Sequence, residues 1–82
     1  MKELLKRLAI AEKAADEADQ AYEADPENIE KEEAFDRAYE EEYNLYMKAA
    51  NEIVKITSGK IDFETAKAMI KTKREELEKL FA

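Results

Sequence analysis

Eighty-two residues with no cysteine and no histidine exclude disulfides, thiolate or imidazole metal sites, and every triad or proton relay built on those side chains. A net charge of −7 disfavours direct contact with nucleic acid or membrane, while 43% charged and 45% apolar residues, with one glycine and one proline, fit a single all-helical domain. No uncharged apolar run approaches the roughly 20 residues of a membrane helix, and Glu3, Lys6 and Arg7 spoil a signal peptide, so a soluble, cytoplasmic protein is expected.

Residues 3–24 read as a first helix. Leu4, Leu8, Ala11, Ala15, Ala18 and Tyr22 recur at alternating steps of four and three, the spacing of a seam that packs on another helix. Leucines give way to alanines along it. Since stabilisation follows buried apolar area at about 25 cal/mol per Å², the alanine end should be the weaker one.

The turn that follows is Asp25-Pro26-Glu27-Asn28. Asp25 is expected to cap the next helix and Pro26 to sit in its first turn, where no hydrogen bond is lost. With the preceding Ala21-Tyr22-Glu23-Ala24 the phrase resembles a tetratricopeptide junction. It occurs once, however, and both flanking helices are too long for a 34-residue repeat.

Residues 27–57 then form the helix against which the others fold. It contains neither glycine nor a further proline, and Phe35, Ala38, Tyr39, Leu45, Tyr46, Ala49, Ile53 and Ile56 mark its apolar arc. Glu42 falls inside that arc. A carboxylate there is costly unless paired, so its stem should pack inside and its head should meet Lys73 or Arg74 from the next helix.

Gly59 supplies a left-handed residue in the second turn, and Asp62 is a good cap for a third helix over 63–81. Its buried stripe should be Phe63, Ala66, Ile70, Leu77, Leu80 and Phe81, with Met69 on the flank. Short turns make successive helices antiparallel neighbours. The expected fold is all-α: an antiparallel three-helix bundle with a long central helix, its core drawn from Leu4, Leu5, Leu8, Tyr46, Ala49, Ile53, Ile70 and Leu77. Beyond the core an acidic helical hairpin should project.

The charge is concentrated in that hairpin. Residues 12–42 hold 14 acids against Lys13, Lys31 and Arg37, a local charge of −11 that leaves +4 for the rest. Glu33, Asp36, Glu40, Tyr43 and Met47 fall on one line of the central helix, about 5–6 Å apart, with Glu30 and Glu41 beside them. Such a row can imitate the phosphates of a nucleic-acid strand to a basic groove, with Tyr43 as aromatic anchor. The plainer reading is a solvated face that keeps a small bundle soluble.

Little other chemistry is available. Gly59 alone cannot cradle a phosphate, and paired carboxylates on helices without a cleft do not make a glycosidase. Divalent cations could associate loosely with Glu30–Glu33 or Glu40–Glu42, without the spacing of a calcium loop. Neither a cofactor nor an enzymatic activity is expected.

Ile56-Thr-Ser-Gly-Lys-Ile-Asp-Phe-Glu-Thr-Ala-Lys-Ala-Met-Ile70, followed by Lys73-Arg74-Glu75-Glu76-Leu77, resembles the C-terminal helix of small phage-encoded α-helical accessory proteins. The likeness covers about a third of the chain. It implies a host-directed protein from a group that includes inhibitors of nucleases and of CRISPR effectors, several of them acidic nucleic-acid mimics.

The expected function is therefore a non-enzymatic inhibitor or regulator that presents an acidic helical surface to a basic, nucleic-acid-binding partner. An alternative is a coiled-coil oligomerisation or adaptor module, a homodimer included. It would use Ile29, Tyr39, Val54 and the alanine seam. A designed bundle fits least, since irregular heptads, four tyrosines and charges inside apolar arcs depart from ideal patterning.

Overall fold

The computed structural model describes residues 1–80, Leu80 by its backbone alone, and is all-helical over them: α1 (Lys2–Ala24), α2 (Ile29–Ile56), α3 (Phe63–Thr72) and α4 (Arg74–Leu80). Twenty-eight residues at about 1.5 Å each make α2 roughly 42 Å long, nearly the whole 46 Å long axis of the molecule. Both α1 and α3 pack on it.

Each boundary has a local cause. Asp25, held extended before Pro26, leaves α1 with its N–H donating to the Tyr22 carbonyl at 3.1 Å. The cap of α2 is Asn28 rather than Asp25. The Lys31 N–H donates to Asn28 Oδ1 at 3.2 Å, and the helix starts at Ile29. Pro26 thus lies in the turn, not in the helix. Asp25 instead accepts from the Asn28 amide at 3.3 Å and meets Lys31 Nζ at 3.6 Å, bracing the cap from behind.

At the other end Gly59 N–H donates to Val54 O at 2.9 Å and Ser58 N–H to Lys55 O at 3.2 Å, the paired bonds of a Schellman ending. Here the first left-handed residue is Ser58, at φ 54°, and Gly59 follows at φ 81°. Asp62 caps α3 as expected, accepting from the Thr65 N–H at 2.7 Å. That bond holds the Asp62 carboxyl below its ordinary range.

The single third helix expected over 63–81 is two. α3 ends at Thr72, Lys73 leaves helical geometry at φ −132°, and α4 begins at Arg74. The Ile70 carbonyl, which an unbroken helix would give to the Arg74 backbone N–H, accepts instead from Arg74 Nε at 3.1 Å. A side chain has replaced a backbone donor, so the break does not leave the Ile70 carbonyl unsatisfied.

The core joins Leu5, Leu8 and Ala11 of α1, Leu45, Ala49, Ala50 and Ile53 of α2, Ala66 and Ile70 of α3, and Leu77 of α4. Leu4 and Tyr46, expected inside, are half-buried against it, as are Met1, Val54, Ile61, Phe63 and Met69. Tyr39 and Ile56 of the expected arc are 58% and 45% exposed, so the arc is narrower than the spacing suggests. Leu80 and Phe81 of the expected stripe lie outside the described side chains.

No residue between Ala15 and Leu45 is buried. Ala18, Tyr22, Phe35 and Ala38 there are half-buried, and the Tyr22 and Phe35 rings stack at 5.9 Å. Two helices alone enclose little, and one ring pair fills the gap between them.

Candidate partner-binding surface

On α2 the acids that the sequence singles out face water. Glu30, Glu33, Asp36, Glu40 and Glu41 are all exposed, Tyr43 is 53% exposed, and Met47 is half-buried. The ion pairs among the described residues are Lys31–Asp25, Lys67–Glu64 and Arg74–Glu12, so none of those five carboxylates is in one. Glu30 also lies in the first turn of α2, where the helix dipole favours a negative charge.

The surface is not one continuous strip. Glu40 and Glu41 line a groove of about 370 Å³ together with Arg7, Arg37, Asn44, Leu45 and Lys48. Three cations stand beside two acids there, so this flank carries mixed charge. Tyr43 belongs to a different notch, about 210 Å³, lined by Glu12, Tyr39, Glu42, Tyr46 and Lys71. The groove that holds Glu40 and Glu41 and the notch that holds Tyr43 share no lining residue, and Glu33 and Asp36 line neither.

Glu42 does not form the expected pair with Lys73 or Arg74. Arg74 reaches α1 instead and grips Glu12 with both terminal nitrogens of its guanidinium, the Nη2–Oε2 distance being 3.0 Å. This fork-to-fork bond keeps Arg74 firmly protonated. Lys73 is exposed at the end of α3. Burial, and then the charges of Glu12 and Asp16, push the Glu42 carboxyl above its ordinary range; Lys71 and Arg74 pull it back only in part.

Tyr46 is fixed from two sides. Its hydroxyl donates to the Lys67 carbonyl at 2.9 Å, and Lys71 Nζ stands 5.3 Å from the centre of its ring. Periodicity placed Tyr46 in the core and did not distinguish Glu12 among the acids. Its one available signal was position: Glu12 directly follows Ala11, at the rim of the α1 seam.

The seam itself is occupied. Ala11 and Ala15 are buried, with α2 the helix that packs along α1, and Val54 is half-buried against the core. Ile29 and Tyr39 remain exposed, and so does Ile10 at 70%. Among the described residues no three acidic side chains converge as a metal site would require, the Glu30–Glu33 and Glu40–Glu42 runs included. No helix among them is long and apolar enough to cross a membrane.

Against family models, curated proteins and solved structures the chain has no match.

Proposed function

We propose that the protein is a non-enzymatic inhibitor or regulator that docks by its acidic α1–α2 hairpin into a basic, nucleic-acid-binding surface of another protein. In this reading the four helices make an antiparallel bundle at one end, and the hairpin extends from it as the binding arm. One observation carries the proposal: five carboxylates of α2 are exposed, and none is in an ion pair among the described residues. Arg7, Arg37 and Lys48 temper the charge of Glu40 and Glu41 without pairing with them, and Glu30, Glu33 and Asp36 lie outside that groove. A row so spaced on a rigid rod meets lysines and arginines arranged for a phosphate backbone.

Such a complex weakens steeply with salt, because surface charges beyond about 10 Å are screened at 0.1 M. Recovery of a basic, nucleic-acid-binding protein from lysate at low salt and its loss at high salt is the expected result. The triple variant Asp36→Lys, Glu40→Lys, Glu41→Lys should abolish recovery, and unchanged binding would end the proposal. Were the resemblance of 56–70 and 73–77 to phage accessory helices to hold, the target would be a nuclease or CRISPR effector.

An oligomerising coiled coil is the second reading. It has lost the alanine seam and keeps Ile29 and Tyr39 as exposed apolar positions. A monomer by light scattering at every concentration would dispose of it.

A further inference from the structure

The notch on the Tyr43 flank is built differently from the acidic row. It draws Glu12 from α1, Tyr39, Glu42, Tyr43 and Tyr46 from α2, and Lys71 from α3. At about 210 Å³ it falls below the roughly 300–1,000 Å³ of pockets that hold drug-sized ligands. One side-chain head fits; a cofactor does not.

Its chemistry selects the charge of that head. Three tyrosine rings offer negatively polarised faces, and cations are drawn to such faces within about 6 Å. The chain already demonstrates the contact, since Lys71 Nζ lies 5.3 Å over Tyr46. Arg74 engages Glu12, whereas Glu42 is in none of the described ion pairs. The notch thus pairs an aromatic wall with a carboxylate that has no direct partner.

Of the two cationic side chains, arginine matches better. Its guanidinium is flat, weakly hydrated and able both to stack on a ring and to bond a carboxylate through two nitrogens, while an ammonium is compact and holds its water. Lys71, exposed on a flexible stem, is easily displaced.

We propose that this notch is a receptor for one arginine side chain of the partner, stacked against Tyr43 and Tyr39 and held by Glu42, with Lys71 as the internal placeholder it displaces. This rests on the reading that the partner is basic and adds where one of its residues inserts. The acidic row supplies attraction at a distance; the notch supplies registration.

The test needs no partner. Arginine amide is titrated into the isotope-labelled protein at constant ionic strength and followed by NMR. Saturable shifts confined to Tyr39, Tyr43, Tyr46 and Lys71 are expected. Tyr43→Ala should weaken the affinity about threefold, the loss of one exposed cation–π contact, and Glu42→Gln should weaken it at least as much. Lys71→Met, which removes the competitor, should strengthen it. Shifts that climb without saturating and spread over the acidic residues of α1 and α2, or an affinity indifferent to both Glu42→Gln and Tyr43→Ala, would overturn the assignment. Unchanged partner recovery in the triple lysine variant with an intact titration would count against the docking row alone. The reverse pattern would count against the notch alone.

Discussion

A carboxylate on the edge of a core illustrates how one residue sets a pH dependence. Glu42 is pushed above its ordinary value of 4.5 first by burial, then by Glu12 and Asp16. A folded pKa above the unfolded one means that the native state holds the proton more tightly. The stabilising share is complete below the unfolded value and is lost as pH rises through the folded one, so at pH 7 an ionised Glu42 works against folding. Glu42→Gln should therefore be more stable than the parent at pH 7, by an amount that shrinks as the pH falls toward 4. Urea midpoints at the two pH values measure this; an equal gain at both would show that Glu42 ionises as freely in the fold as outside it. Its position in the arc was legible from spacing alone. The identity of Arg74's partner was not, because Glu12 lies 62 residues away on α1 and the spacing of α2 pointed to Glu42.

At the scale of the helix, punctuation was easier to read than register. Asp62, alone before an apolar run, was bound to cap α3. Asp25 and Asn28 are both good caps three residues apart, and the extended geometry that Pro26 imposes on Asp25 suits a cap as well, so local rules did not choose between them. The end of α3 carries no glycine or proline to announce it. It goes with Arg74 of α4 taking a carbonyl of α3 while gripping Glu12 of α1, a tertiary event that local spacing does not encode. The α2 ending yields a sharper expectation. Ser58 holds φ 54° without a glycine's freedom, and the left-handed region costs an ordinary residue about 1–2 kcal/mol. Ser58→Gly should leave stability equal or raise it by up to about 1 kcal/mol once the flexibility of the unfolded glycine is counted. Gly59→Ala meets nothing within 4 Å, so its loss of about 1 kcal/mol is purely conformational. Chemical denaturation of both variants checks the pair, and a Gly59→Ala protein as stable as the parent would refute the assigned geometry.

Across the whole molecule, burial and charge run in opposite directions. Leu5, Leu8, Ile53, Ile70 and Leu77 are closed off completely at one end, while nothing between Ala15 and Leu45 is buried. The change from leucine to alanine along α1 made this gradient visible in the sequence. Amides of residues 18–38 should exchange through local opening well before those of 45–53, where exchange awaits global unfolding. With a local charge of −11 over 12–42, added salt should slow that early exchange by screening repulsion among the carboxylates. Uniform protection along α2, insensitive to salt, would contradict the gradient. The antiparallel turn at Asp25–Asn28 has a practical corollary for anyone wishing to tether the protein. Met1 packs beside the core, and α1, 23 residues long, carries the chain roughly 35 Å away before it reverses. A bead, chip or fluorophore attached ahead of Met1 would hold the molecule by its rigid foot and leave the reversal pointing into solution, free to meet whatever is flowed past it.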